Sequence, residues 1–166
     1  MSDGADPKAA LRAHISAHLA TYLRSGGAEG HVIDGRASGA WLFGTTCLIR
    51  YKGRKSGRTL ITPLSYADRG GEVIVVGSKG GSDSHPAWYL NVAAGNEVDF
   101  QIATQAFRAA WREPHGAERQ KIWDFMVDCY PFYATYQTRT SRQIPLVMMN
   151  PLEAIPVFRE EDITGG

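Results

Sequence analysis

The sequence is poor in cysteine and has no long apolar run, and both absences narrow the classes of protein that it can encode. Its 166 residues include two cysteines. Cys47 and Cys129 lie far apart and form no CxxC pair, which disfavours a disulfide framework and a zinc site. No apolar stretch approaches the ~18 residues of a membrane-spanning helix. The N-terminus lacks the basic and apolar blocks of a signal peptide, so we expect the mature protein to start there, in the cytoplasm.

An excess of one charge sign is also missing. Eighteen basic and 17 acidic residues give a net charge of +1, which disfavours a globally basic nucleic-acid module. The sequence has no GxxxxGK[ST] loop, no GxGxxG turn and no GxSxG elbow. His14 and His18 are four residues apart, but a third metal ligand is lacking, so no metal site is expected. Apolar residues make up 43% of the chain, enough for the core of a single domain over 1–166.

The apolar periodicity predicts a mainly β (α+β) fold: a small barrel of about six mostly antiparallel strands with helices packed outside. An N-terminal helix is expected within 1–27, capped by Asp6. Its apolar stripe recurs every four residues, at Leu11, Ile15, Leu19 and Leu23. Two more helices are predicted over 86–94 and 116–129. Strand patterns cover 41–51, 59–67, 72–77, 97–102, 105–112 and 144–149. Pro63 marks an edge or a bulge. The core is placed at 40–151, and the tail 152–166 shows little pattern and is expected to be loosely held.

A basic turn separates the first two predicted strands. Five cations fall within nine residues: Arg50, Lys52, Arg54, Lys55 and Arg58. Glycines 53 and 57 allow a ligand to approach the backbone closely. Such a turn suits a phosphate or a carboxylate, although a solubilising hairpin tip explains it equally well.

A second loop favours anions. Residues 77–81 (GSKGG) precede the helix predicted from Pro86, and Lys79 adds a full positive charge to a helix N-terminus. Alternatively, this loop is only a flexible connection between the preceding strand and the helix. Two such loops at consecutive strand ends favour one shared anionic ligand.

Three tyrosines recur at every third position: Tyr130, Tyr133 and Tyr136. This spacing places them along one side of a tight helical turn. A phenol can donate a hydrogen bond or a proton, and its ring can form the wall of an apolar pocket. Ordinary core packing is the alternative.

Taken together, these motifs resemble the deazaflavin-dependent nitroreductase family of actinobacteria. The resemblance covers about 40–151. It is carried by GRKSG (53–57), TPL (62–64), VGSKGG (76–81), PAWYLN (86–91), YPFYATYQ (130–137) and Ile144-Pro145. It implies a split β-barrel that binds coenzyme F420, a deazaflavin with a phosphate and an oligoglutamate tail. It also implies an oxidoreductase that transfers hydride from the reduced cofactor to a small electron-poor acceptor: a quinone, a nitroaromatic, or a conjugated enone or lactone.

The resemblance also implies roles for single residues. The phosphate and tail would be held by Arg54, Lys55 and Ser56, with Arg58 contributing from the same turn. The ring and its phosphate side would be lined by Pro63, Leu64, Val76, Gly77, Ser78 and Lys79. The cofactor site would be completed by Ala87, Trp88, Tyr89, Leu90 and Asn91. Tyr133 would close over the ring, and Tyr130 and Tyr136 would face the substrate. A catalytic hydrogen bond or proton would come from Ser78 and from one of Tyr130, Tyr133 and Tyr136.

Rival interpretations follow from the same residues. A non-catalytic F420 carrier needs the two loops but not the tyrosines, and an FMN-dependent split-barrel oxidoreductase would use a different flavin. The first helix permits peripheral association with the inner face of the cell membrane, although a core-facing stripe is favoured. Split barrels often pair through their sheets, which makes a homodimer a further expectation.

Overall fold

The computed structural model describes residues 6–34, 36, 43–95 and 97–163, which form eight strands and four helices. The strands are β1 (Val32–Asp34), β2 (Phe43–Lys52), β3 (Thr59–Ser65), β4 (Ala67–Arg69), β5 (Glu72–Val76), β6 (Val98–Ile102), β7 (Gln105–Arg112) and β8 (Leu146–Ile155). The helices are α1 (Pro7–Arg24), α2 (Ala87–Ala94), α3 (Gly116–Cys129) and α4 (Phe132–Thr138). The predicted strand start at Trp41 lies outside the described residues.

The strands form one curved sheet in the order β1-β2-β6-β7-β8-β5-β4, and β3 also pairs with β2. Every described pairing is antiparallel. β3 contacts β5, but no ladder joins them among the described residues, so the barrel is split between these two strands. The predicted split β-barrel with peripheral helices is confirmed. The short strands β1 and β4 were not predicted, because three residues are too few to show a period.

Pro63 occupies the position that its chemistry requires. It lies opposite Leu48 in the β2–β3 ladder, and β2 is the one strand with which β3 pairs in the described part of the chain. A proline without an N–H is tolerated on such an edge strand. The predicted edge position is confirmed, and it places Pro63 beside the split.

The core has three clusters: one inside the barrel (the inner layer), one beneath α3 and α4, and one where α1 and the C-terminal segment pack against the sheet. The alternation along β5 shows the first two directly: Val73 and Val75 belong to the inner layer, whereas Ile74 and Val76 pack under the helices. Successive side chains of a strand point to opposite faces, so both faces of β5 are covered. This explains why residues 73–76 form a continuous apolar run rather than an alternating one.

Helix α1 begins as predicted but packs differently. Asp6 caps it by accepting a hydrogen bond from the backbone nitrogen of Lys8 at 3.0 Å. Of the predicted stripe, Leu23 is buried, whereas Ile15 is 44% exposed. The fully buried side chain is Tyr22, because α1 reaches the core with its last turn only.

The tail is anchored, so the prediction of a loosely held segment is wrong. Strand β8 continues to Ile155, and Phe158 is fully buried. The backbone nitrogen of Phe158 donates to Oε1 of buried Gln101 at 2.7 Å. Burying a phenylalanine ring stabilises a fold by roughly 1.5–3 kcal/mol, so this contact adds substantially to the stability of the barrel.

Arg50 belongs to this anchor and not to the basic turn. Its guanidinium lies 4.4 Å from the centre of the Phe158 ring and forms ion pairs with Asp99 at 2.8 Å and Asp162 at 2.9 Å. Its inclusion among the anion-binding cations is therefore wrong. Side chains alternate across β2, and the sequence alone could not show which face Arg50 occupies.

Candidate functional site

The basic turn between β2 and β3 is closed by its own backbone. The nitrogen of Gly57 donates to the oxygen of Gly53, and the nitrogen of Gly53 donates to the oxygen of Arg58, each at 2.8 Å. A Cβ on Gly53 would lie 2.6 Å from Oγ of Ser56, so a larger residue there would require the Ser56 side chain to rotate away. These bonds direct four exposed side chains outward: Arg54, Lys55, Ser56 and Arg58.

The cations of this turn differ from most other arginines of the protein. Arg50, Arg108 and Arg112 each form an ion pair with a carboxylate at 2.8–2.9 Å or closer. Within the described ranges, no carboxylate oxygen lies within 4.0 Å of the charged nitrogens of Arg54, Lys55 or Arg58. Their positive charge is left to attract an anionic ligand.

Asn91 connects this turn to helix α2. Its Oδ1 atom accepts hydrogen bonds from the backbone nitrogen of Arg54 at 3.0 Å and from Nη1 of Arg54 at 2.8 Å. Asn91 is 8% exposed, whereas Arg54 is exposed, so the connection is partly shielded from solvent. The predicted cofactor residue Asn91 therefore positions the basic turn.

Helix α2 places its other predicted residues at different depths. Trp88 is 7% exposed and packs in the inner core layer, Ala87 is exposed and Leu90 is half-buried. The hydroxyl of Tyr89 donates to Oε1 of Glu113 at 2.6 Å. Burial, together with that carboxylate, raises the pKa of Tyr89 to about 12. The tyrosine thus stays neutral at physiological pH.

The loop before α2 has an unusual backbone. The backbone of Ser78 has the right-handed helical conformation (φ −78°, ψ −41°). The next three residues all have positive φ: +45° at Lys79, +63° at Gly80 and +83° at Gly81. A change from right- to left-handed conformation turns successive N–H groups toward one concavity, which is a common anion-binding arrangement. A non-glycine residue such as Lys79 rarely adopts positive φ, and such strain is typical of functional sites.

The loop is fixed against α4. A Cβ on Gly81 would lie 2.5 Å from the backbone oxygen of Tyr136, so only glycine fits there. The nitrogen of Gly77 donates to the oxygen of Pro145 at 2.9 Å. Nζ of Lys79 donates to Oγ of Ser84 at 3.1 Å, which leaves two of its three protons for a ligand.

Arg142 holds the same loop, and the sequence reasoning missed it. Its guanidinium donates to the backbone oxygens of Gly77, Ser78 and Ser82 at 2.6–3.1 Å, and it contacts Nδ1 of His85 at 3.1 Å. No sequence signal singles it out, because its partners are backbone atoms about 60 residues away.

Helix α2 brings the two loops to one region. The second loop enters the helix at Pro86, and the basic turn is bound at Asn91, five residues further on. At 1.5 Å per residue these points are about 7.5 Å apart along the helix axis. Both predicted anion loops therefore lie within reach of one extended ligand.

Pro63, Leu64 and Val76 flank the split in the barrel. Pro63 and Leu64 on β3 are half-buried, and Val76 at the end of β5 is 5% exposed. Leu64 packs against the inner layer, whereas Val76 packs beneath α3 and α4, so the structure does not gather these three predicted ring contacts on one surface.

The three tyrosines form an aromatic row. The ring centres of Tyr130 and Tyr133 are 5.7 Å apart, and those of Tyr133 and Tyr136 are 6.3 Å apart. Tyr133 is 4% exposed, whereas Tyr130 and Tyr136 are half-buried. Burial raises the pKa of Tyr130 and, more strongly, of Tyr133. Both phenols therefore keep their protons at neutral pH and remain hydrogen-bond donors.

A cavity of about 670 Å³ opens beside Tyr130. Its walls are mostly apolar or aromatic and include Val32, Phe43 and Phe125. The hydroxyl of Tyr130 donates to the backbone oxygen of Tyr66 at 2.6 Å and lies 3.3 Å from Oγ1 of Thr45. The cavity thus combines apolar walls with a few polar groups, as small-molecule sites do.

Another cavity, of about 290 Å³, lies beside Arg50, Glu97 and Asp99. It is remote from the tyrosine row and is lined by carboxylates, which suit neither a phosphate nor a carboxylate ligand.

His31 was treated as isolated in the sequence, but its Nε2 atom lies 2.6 Å from the hydroxyl of Tyr66. The two residues are 35 positions apart, and the pairing of both β1 and β3 with β2 brings them together. Among the described residues, no three metal-ligating side chains cluster closely enough to hold a metal ion. In that same part of the chain, no helix combines the length and apolarity that crossing a membrane would require.

Comparisons with known proteins agree with this geometry. The family model of the F420H(2)-dependent quinone reductases matches residues 14–151. An F420H(2)-dependent quinone reductase of Mycobacterium tuberculosis H37Rv is 33% identical over 135 residues, which cover 80% of this chain and 86% of that protein. The solved F420-H2 dependent reductase FDR-A is 38% identical, with a TM-score of 0.59 over 63% of this chain and 93% of its own. A structure described as a domain-swapped dimer is 33% identical, with a TM-score of 0.61 over 87% of this chain and 100% of its own.

Proposed function

Because this chain belongs to the F420H(2)-dependent quinone reductase family, we propose that it is an oxidoreductase that reduces a quinone with reduced coenzyme F420. Nitroaromatics and conjugated enones or lactones are the other acceptors with suitable electron-poor character. The observation that carries the proposal is the cluster of cations without carboxylate partners at the basic turn, joined through Asn91 and α2 to the loop at Ser78–Gly81.

The residues present fit this cofactor. F420 has a phosphate and an oligoglutamate tail, and both are anionic at neutral pH. Arg54, Lys55 and Arg58 supply positive charge at the turn bound to Asn91, and Lys79 supplies it in the loop that precedes α2. Ser56 adds a hydroxyl at the turn. The deazaflavin ring would lie at the split in the barrel, beside the half-buried Pro63 and Leu64 and near α2 residues 87–91.

Reduced F420, when bound, supplies a hydride. The hydroxyl of Ser78, which is half-buried at the start of the loop, would donate a hydrogen bond to the acceptor oxygen where negative charge develops. The row of Tyr130, Tyr133 and Tyr136 would exclude water. Because the pKa of Tyr130 and of Tyr133 is raised by burial, these phenols stay protonated and can hold a proton close to the reduced oxygen.

The acceptor would enter through the cavity beside Tyr130. Its volume of about 670 Å³ lies in the range of small-molecule sites. Phe43 and Phe125 provide aromatic faces against which a flat ring such as a quinone can stack. Phe43 is 69% exposed, so the entrance is itself apolar.

Stopped-flow oxidation of reduced F420 tests this proposal. The protein should accelerate oxidation by menadione and other quinones, and Lys121→Gln, which alters an exposed cation on α3, should act like the wild type. Binding of F420 without turnover of any acceptor would favour the carrier interpretation. Preferential binding of FMN over F420 in calorimetry would favour the flavin-dependent one.

Assembly and location remain predictions. A homodimer is proposed because a similar solved structure is described as a domain-swapped dimer. Sedimentation at several protein concentrations tests this proposal.

Peripheral association with the inner membrane surface is proposed because Ile15 of α1 is an exposed apolar residue. Co-flotation with anionic vesicles, compared between wild type and Ile15→Ser, tests that association. A location in the cytoplasm remains an expectation from the N-terminal sequence.

A further inference from the structure

The guanidinium of Arg142 donates hydrogen bonds to the backbone of one loop. Its Nε donates to the oxygen of Ser82 at 2.6 Å, its Nη1 to the oxygen of Gly77 at 3.1 Å, and its Nη2 to the oxygen of Ser78 at 2.8 Å. Nη1 also lies 3.1 Å from Nδ1 of His85. The guanidinium of an arginine is always protonated and can only donate, so Nδ1 of His85 is the acceptor.

These contacts fix the direction of the loop's amide groups. In a planar trans peptide the C=O and the following N–H point in opposite directions. The carbonyls of Gly77, Ser78 and Ser82 point at Arg142, so the N–H groups of Ser78, Lys79 and Asp83 point away from it. The guanidinium therefore turns the N–H groups toward the outer side of the loop.

The loop also needs such support. Lys79, Gly80 and Gly81 all have positive φ, and this conformation is strained at Lys79. A strained backbone persists only where its surroundings hold it in place. Arg142 is half-buried behind the loop, and burial lowers its pKa without bringing it near neutrality.

We infer that Arg142 is a positioning residue that sets the conformation of the Gly77–His85 loop and thereby the affinity for the anionic part of the cofactor. This inference rests on the proposed function. Arg142 itself does not contact the ligand in this account, because its donors are directed at backbone oxygens on the inner side of the loop.

Arg139 provides a matched control. It lies in the same segment, is exposed, and makes one hydrogen bond to the same loop, from Nη1 to the oxygen of Gly80 at 3.2 Å. Its guanidinium also lies 5.3 Å from the centre of the Tyr136 ring. Removing Arg139 takes away the same charge and one bond, whereas removing Arg142 takes away three backbone contacts and the contact to His85.

The test compares Arg142→Lys, Arg142→Ala and Arg139→Ala. Arg142→Ala should weaken F420 binding by ~10- to 100-fold, as expected for lost hydrogen bonds from a charged donor. Arg142→Lys should recover little of the lost F420 affinity, because one ammonium group cannot reach the three backbone oxygens and Nδ1 of His85. KM for reduced F420 should rise with kcat changed by less than ~3-fold, since the reacting groups are not removed. Added guanidinium ion should partly restore binding in Arg142→Ala, and Arg139→Ala should stay within ~3-fold of wild type.

Hydrogen exchange separates this inference from the proposed function. In protein without cofactor, Arg142→Ala should speed amide exchange in 77–85 and leave β2 and β8 unchanged. Each of three results would overturn the positioning role. They are unchanged amide exchange in that loop in Arg142→Ala, wild-type F420 affinity in Arg142→Lys, and an equal loss of F420 affinity in Arg142→Ala and Arg139→Ala. If the wild type itself fails to bind F420, the proposed function fails, while the exchange result still decides whether Arg142 sets the loop.

Discussion

The side-chain oxygen of Asn91 accepts two hydrogen bonds from Arg54, one from its backbone nitrogen and one from its guanidinium. This contact joins the turn after β2 to the middle of α2, and it lies in a region partly shielded from solvent. The basic turn is therefore tied to α2 rather than a free hairpin tip, which supports the proposal that it belongs to the cofactor site.

Removing this contact should loosen the turn. In Asn91→Ala, the backbone amide of Arg54 loses its acceptor, so stability should fall by about 0.5–1.5 kcal/mol, and F420 affinity should fall with it. Thermal unfolding and calorimetric titration measure the two effects. Asn150→Ala, an exposed change on β8, serves as the control. If Asn91→Ala binds F420 with the same affinity as Asn150→Ala, the contact between Asn91 and Arg54 does not position the turn.

The contact between Arg142 and His85 predicts a pH dependence. Burial lowers the pKa of His85 below its ordinary value of 6.5, the charge of Arg142 acts in the same direction, and Glu113 opposes both. The ring of Tyr89 packs against His85, and Asp83 partly offsets the charge of Arg142. A lowered pKa in the folded state means that this stabilisation is complete above pH 6.5 and is lost as the pH falls through the folded value.

F420 affinity and the protection of loop amides should therefore decrease as the pH is lowered below about 6.5. His85→Asn keeps an acceptor for Arg142 and removes the titration, so its affinity should vary less over the same range. Titrations at several pH values measure both proteins. Parallel pH profiles in wild type and His85→Asn would contradict the assignment of this dependence to His85.

The tyrosine row predicts a separation of binding from turnover. Changing Tyr130, Tyr133 and Tyr136 together to phenylalanine keeps the rings and removes the hydroxyls. The reduction of menadione should slow by ~10²-fold or more, the usual contribution of a positioned proton or hydrogen-bond donor. F420 affinity should stay within about 3-fold, since the cations are untouched. Unchanged turnover would remove the tyrosines from the chemistry.

The anchored tail predicts a large effect on stability far from the cofactor site. Phe158→Ala should destabilise the protein by about 3–5 kcal/mol, as expected for a fully buried ring. Glu161→Ala, which breaks an exposed ion pair with Arg159, should cost less than about 1 kcal/mol. Denaturant unfolding measures both, and a small effect at Phe158 would show that the tail is not part of the core.

The sequence predicted the barrel well because its signals are local. The run at 72–76 reads as a strand, and the GRKSG turn reads as the hairpin connection that the structure contains. The basic turn and the loop at 77–81 were predicted to bind an anion from their positive charges and glycines. Their convergence on α2 could only be suspected, because it depends on a contact between Arg54 and Asn91, 37 residues apart.

The sequence failed where partners are distant or are backbone atoms. Arg142 binds carbonyls about 60 residues away, and His31 meets Tyr66 only through strand pairing. Arg50 was wrongly counted among the cations of the basic turn, since a charge cluster in sequence does not say which side of a strand each residue occupies. The tail from 152 onward lacks periodicity, yet Phe158 fills a pocket that the rest of the barrel provides.

Calorimetric titration with F420 tests the central claim most directly. The wild type should bind F420 in preference to FMN, with an affinity that falls as salt is raised. A variant with Lys55, Arg58 and Lys79 changed to glutamine should bind more weakly and with a smaller salt dependence, while Lys121→Gln should match the wild type. Saturation by FMN with no uptake of F420, or equal F420 binding by the triple variant and the wild type, would contradict the account.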